Sequence, residues 1–227
     1  MVRRLLIGVI VLVGLLVAAD RVGNVIAEHT VAKTVQDSQH LAHRPDVDIA
    51  GFPFLTQLAA GKFGKVTLHD HDITTGTGRR ALHLSEVTVV LRDVTVSRDF
   101  SSATAAHTTA NALVSYADVS SALGVKVSYA GDGRVRAKAS TSVLGQAVNG
   151  SVTARPVVRS GDLAFGSPHV AVDGARLPAS AAAALAEVFG APLSFAGLPY
   201  GLSVRSVSAA ADGLALTLTA RNLTFRR

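Results

Sequence analysis

The sequence of 227 residues contains no cysteine and no tryptophan. Without cysteine there is no disulfide framework, no thiolate-bound structural zinc and no thiol nucleophile. Aromatic residues make up only 5% of the chain, so the core must be assembled from Val, Leu and Ala with a few Phe. Side chains of that size fill thin layers, such as a sheet packed on helices, more readily than one thick core. Charge is scarce too, at 17% against the usual quarter. Catalytic signatures are missing as well. There is no Gly-x-Ser-x-Gly elbow, no Walker loop and no dinucleotide fingerprint, and the carboxylates stand isolated rather than paired.

What the chain does have begins at its N-terminus. Arg3 and Arg4 precede 15 apolar residues, Leu5 to Ala19, and Asp20-Arg21 ends the run. Two cations before such a stretch form an export signal. Val17-Ala18-Ala19 offers small residues at the offsets of a cleavage site, so residues 1–19 read as a signal peptide or a membrane anchor. Fifteen residues fall short of the ~20 that span a bilayer. The helical pattern continues through Val22, Ile26, Val31 and Val35, however, so the leader reads equally as the start of one long helix. The formal net charge is +6. The cations are scattered with few aromatics between them, which points away from nucleic acid and leaves an anionic membrane surface as the partner.

Residues 20–227 read as one α+β domain. A helix over 20–40 is followed by a short strand around Val47-Asp48-Ile49, then a short helix after Gly51-Phe52-Pro53-Phe54-Leu55 that Gly61 ends. Strands are expected over 63–73, 82–96 with one slip in its alternation, and 108–115. A short helix over 116–123, closed by Gly124 and capped by Asp118, precedes three hairpins. These turn at Gly131-Asp132-Gly133, Ser160-Gly161-Asp162 and Asp212-Gly213. An Ala-rich helix over 178–189 separates the last two, and Gly76-Thr77-Gly78 reads as a loop. Consecutive strands joined by tight turns make a largely antiparallel sheet.

Four clusters are candidates for function. His69-Asp70-His71-Asp72 carries metal-ligating types, but alternation sends the two His to one face and the two Asp to the other, so a solvated strand end is expected and no metal. Phe52, Phe54, Leu55 and Phe63 form an apolar tip that either enters a bilayer or tucks into the core. Phe195, Leu198 and Tyr200 pose the same choice. Arg134, Arg136 and Lys138 alternate with Val135, Ala137 and Ala139, making a three-cation ladder suited to anionic headgroups or to solvent. A sheet lined with small apolar residues either holds a long apolar ligand or packs on its helices. No cofactor is expected.

The leader followed by Asp48-Ile49-Ala50-Gly51-Phe52-Pro53-Phe54-Leu55 and Gly61-Lys62-Phe63 resembles the LmeA-like phospholipid-binding family of actinobacterial cell-envelope proteins. Val114-Ser115-Tyr116-Ala117-Asp118-Val119 with Leu123-Gly124, Gly131-Asp132-Gly133-Arg134-Val135 and Gly197-Leu198-Pro199-Tyr200-Gly201-Leu202 carry the likeness to nearly the whole chain. The resemblance implies a non-enzymatic envelope protein that binds phospholipid, with phosphatidylinositol-type lipids the precedent. It implies a fold similar to the tubular lipid-binding (BPI-like) half-domain, with a long helix on a strongly curved sheet. It transfers no catalytic residue. The other readings are a scaffold for a membrane-bound envelope glycosyltransferase and an envelope hydrolase.

Overall fold

The computed structural model describes residues 2–75, 81–143, 146–172, 189–190, 192–195 and 197–226. The expected helix over 178–189 and the loop at 76–78 lie outside the described residues, apart from Phe189. One unbroken helix, α1 (Val2–Gln39), joins the apolar leader to the amphipathic segment. Strand β1 (Asp46–Ala50), helix α2 (Phe54–Ala60) and the long strands β2 (Lys62–Thr75), β3 (Leu82–Val96) and β4 (Ser102–Ser115) follow. Helix α3 (Tyr116–Leu123) precedes β5 (Lys126–Gly131), β6 (Arg134–Val143), β7 (Gln146–Arg159) and β8 (Asp162–Val172). A 3-10 turn at Pro199–Gly201 leads into β9 (Ser203–Ala209) and β10 (Gly213–Arg226). The class is α+β: a long helix with antiparallel sheets ordered β1-β2-β3-β4-β10-β9 and β5-β6-β7-β8.

Contacts divide the chain into two compact units. The first holds Met1–Asp70, Thr88–Thr109 and Ala220–Arg227; the second holds His71–Val87 and Ala110–Thr219. In the first, Glu28 on α1 accepts the backbone N–H of Ile49 at 2.9 Å, which fastens β1 to the helix. Ala32 and Val35 one turn further along are buried, the inward stripe of a packed helix. The strands bend where polar residues take left-handed backbone angles: Asp93 in β3 (φ 54°) and Asn222 in β10 (φ 51°). A left-handed residue inside a strand departs from extended geometry and turns the chain there, and β10 also shifts register against β9 between Thr217 and Leu218, as a bulge does. Leu82, Leu84, Val87, Val89, Leu91 and Val94 are the buried set of β3, and its period breaks twice, the second time at Asp93.

In the second unit local signals govern. Ser115 caps α3 by accepting the Asp118 N–H at 3.1 Å, and the Ser115 hydroxyl donates to the Asp118 carboxylate. Gly124, at φ 70°, closes the helix in the left-handed conformation that glycine adopts at least cost. The Tyr116 hydroxyl donates to the Ala210 carbonyl at 2.6 Å. Val135 and Ala137 of β6 are buried while Arg136 and Lys138 face solvent. Val127 is buried, whereas Tyr129 on the same strand is exposed. Tyr129 pairs with Val135 on the face that Val127 shares, next to the register shift between Tyr129 and Gly131 at the hairpin end.

Candidate functional site

An apolar cavity of about 450 Å³ lies within the first unit. Helix α1 supplies one wall through Gly23, Ala27, Val31 and Val35. Helix α2 adds Phe54, Leu55 and Leu58, and β2 adds Phe63, Val66 and Leu68. Leu91 and Val94 of β3, the turn at 100–103 and Phe225 of β10 complete it. The volume falls in the range of small-molecule sites, about 300–1,000 Å³. Arg226 is the one ionisable residue among those lining it, so the walls offer dispersion and exclusion of water rather than acid–base chemistry.

Local sequence explains how the wall is shaped. Gly51 sits at φ 111°, and a Cβ there would meet Gln57 Nε2 at 2.5 Å, so the chain turns sharply only with glycine. The turn splits the two phenylalanines. Phe54 is buried, its ring centroid 6.0 Å from that of Phe63. Phe52 is exposed, with the Arg21 guanidinium carbon 5.2 Å from its ring centroid. Asp20 is buried, and its Oδ1 accepts the Leu55 N–H at 2.8 Å near the start of α2. The helix supplying one wall is thereby locked to the tip supplying the next. Gly23 faces the tip: a Cβ there would stand 3.4 Å from Leu55 Cδ2 and 3.7 Å from the Phe54 ring, an ordinary packing distance.

Three lining residues, Ile26, Leu55 and Phe100, keep large exposed areas, so the cavity opens to the surface beside them. Phe100 is held out by the turn at 97–102. Its N–H donates to the Ser97 carbonyl at 2.9 Å, and its own φ is 56°. Asp99 in that turn has its carboxyl lowered to about 2, mainly by hydrogen bonds from the Ser97 and Ser101 hydroxyls.

Of the residues singled out from sequence, Phe54, Leu55 and Phe63 line the cavity, and Phe52 stands exposed on the adjoining tip. Phe195, Leu198 and Tyr200 belong to the second unit, where Phe195 and Tyr200 are buried. Arg134, Arg136 and Lys138 also belong to the second unit, on β6. His69 and Asp72 take different partners: His69 Nδ1 lies 3.1 Å from Thr88 Oγ1, and Asp72 lies 3.4 Å from His83 Nε2. Sequence reasoning passed over Ala27, Leu68, Leu91, Phe100 and Phe225. Phe100 had a signal, a large apolar residue at the tip of a polar Arg98–Ser102 turn. The others read as ordinary core.

Among the described residues, one helix, α1, is long and apolar enough to cross a membrane, and its first turns are exposed. A family model described as LmeA-like phospholipid-binding matches residues 18–219. No curated protein and no solved structure matches the chain.

Proposed function

Because the chain belongs to the LmeA-like phospholipid-binding family, we propose that it takes phospholipid acyl chains into the cavity of the first unit, at the outer face of the plasma membrane. The protein is a lipid carrier or a keeper of envelope glycolipid rather than an enzyme. Residues 1–19 deliver it there, as an anchor or as a leader removed near Ala19. The observation that carries the reading is the open, nearly uncharged cavity of about 450 Å³. Each methylene moved into such a space from water contributes about 0.8 kcal/mol. A scaffold with a filled core would have no use for it, so lipid binding is favoured over the scaffold. Phe52 and Leu55 form the bilayer-facing tip, Phe54 and Phe63 line the cavity behind it, and anionic lipids of the phosphatidylinositol type are the cargo; Phe195 and Tyr200, buried in the second unit, serve its core instead.

The test is native mass spectrometry of the purified full-length chain, with lipid extracted from the same sample. A phospholipid adduct at one per chain is expected. Protein that stays bare after incubation with phospholipid vesicles would overturn the proposal. Ala27→Trp is expected to fill the cavity and keep the fold. It displaces several methylenes, so lipid retention weakens by at least about tenfold.

A further inference from the structure

A second depression adjoins the apolar cavity within the same unit. It is an open groove of about 860 Å³, lined by His29, Thr30, Lys33, Thr34, Asp37, Ser38, Arg44 and Arg226. Its character is the reverse of its neighbour's. Lys33, Arg44 and Arg226 bring three cations, and Asp37 is the one carboxylate lining it. None of the three cations has an ion-pair partner among the described residues.

The two spaces share Thr30, Thr34 and Arg226. Thr30 and Thr34 lie one turn apart on α1. Each donates its hydroxyl to the carbonyl four residues back, at 2.8 and 3.0 Å. Their hydroxyl protons are thus spent on the helix, and the boundary between the spaces presents methyls and acceptor oxygens. Arg226 ends β10 directly after Phe225, which lines the apolar side. Along α1 the same division recurs: Ala27, Val31 and Val35 line the cavity, while His29, Lys33 and Asp37, spaced by four, line the groove. An apolar chamber joined to a cationic one matches a molecule with the same division, acyl chains attached to a phosphate.

We infer that the groove is the headgroup subsite, where Arg226, Lys33 and Arg44 take the phosphate of a lipid whose chains occupy the cavity. This rests on the cavity holding lipid. Arg226 lines both chambers and meets the phosphate where it joins the glycerol. Its planar guanidinium offers two parallel donors to phosphate oxygens, while Lys33 contributes a point charge. Asp37, the one carboxylate lining the groove, disfavours a second negative charge there.

The experiment offers the full-length chain in detergent an equimolar mixture of phosphatidylglycerol and phosphatidylcholine with identical acyl chains. Bound lipids are quantified after repurification. Wild type is expected to enrich phosphatidylglycerol by about tenfold, the scale of one charge-assisted hydrogen bond. The Lys33→Gln, Arg44→Gln, Arg226→Gln variant is expected to bind phosphatidylglycerol and phosphatidylcholine at a ratio near one, and Arg226→Lys alone to keep part of the preference. Should the triple variant fail to fold, Arg44→Gln and Arg226→Gln singly are each expected to lower the ratio. Exchanging Arg134, Arg136 and Lys138 for Gln should leave the ratio unchanged. Lipid bound without preference, or a preference that survives the triple exchange, overturns the subsite and spares the cavity. No lipid bound by wild type overturns both. Inorganic phosphate at ten millimolar is expected to leave phosphatidylglycerol in place; its displacement by phosphate would make the groove a free-phosphate site and overturn the headgroup assignment.

Discussion

Asp20 illustrates how much one side chain sets at the head of this molecule. It ends the apolar run, and its carboxylate is buried against the Leu55 N–H, 35 residues away. Near the start of a helix this acts as a cap borrowed from another element. Asp20→Ala is therefore expected to lower stability by about 1 kcal/mol, as lost caps do, with Asn retaining most of it, read by chemical unfolding. Thr108 offers the opposite case. Its hydroxyl is buried and finds no partner among the described residues. Thr108→Val keeps the shape and removes the unsatisfied group, so stability should rise by up to about 1 kcal/mol; a fall would mean that the hydroxyl is satisfied. Tyr116 gives a pH dependence. Burial, helped by Tyr129 and Asp212, raises its phenol to about 12. The unfolded phenol ionises first, so the stabilisation is full below pH 10 and drains away between pH 10 and 12. Tyr116→Phe should flatten that part of the melting-temperature profile. Phe52 and Phe54 show where sequence stops at this scale. They flank one proline in a turn, where neither period applies, and only the fold decides that one is buried and the other exposed.

At the scale of elements, the hairpins and short helices were legible because their causes are local. Gly61 and Gly124 end helices, and Gly-Asp-Gly turns a strand; the cap of α3 proved to be Ser115, which accepts the N–H of the Asp118 first expected in that role. The exact bends were not legible, since Asp93 and Asn222 take left-handed angles only in the strands that the tertiary fold pairs around them. Gly213 belongs to this class. Its sequence context reads as a turn, but the close approach of β4 is what requires it. A Cβ there would stand 2.4 Å from the Val114 carbonyl oxygen, which is backbone and gives little. Gly213→Ala should cost about 1–3 kcal/mol by overpacking, and a neutral result would show that β10 shifts freely on β4. The cavity was the least legible feature. Its walls come from α1, α2, β1, β2, β3, β4 and β10, and residues such as Leu68 and Leu91 carry the same apolar pattern whether they face a void or another side chain. The likeness to phospholipid-binding proteins named the ligand class before any wall could be placed.

For the whole molecule, two kinds of attraction to lipid should separate by their response to salt. Capture in the cavity relies on apolar burial, which moderate salt hardly changes. If Arg134, Arg136 and Lys138 on β6 dock the chain, which carries a net charge of +6, that docking relies on a field that screening removes. Raising salt from 0.1 to 1 M shortens the screening length from about 10 to about 3 Å. A chain starting at Asp20, with its fold checked by circular dichroism, isolates the domain from leader insertion. It should cosediment with vesicles containing phosphatidylglycerol at 0.1 M salt and be released at 1 M. Each cation near such a surface is worth about 1 kcal/mol. Reversing all three to Glu should therefore abolish cosedimentation at the lower salt while the extractable lipid per chain stays constant. Exposed positions away from buried features tolerate such changes to within about 0.5 kcal/mol each. Vesicle binding that survives the reversal would remove the ladder from the docking surface. Lipid content that falls with it would instead tie surface charge to loading, and docking would then be the step by which the cavity fills.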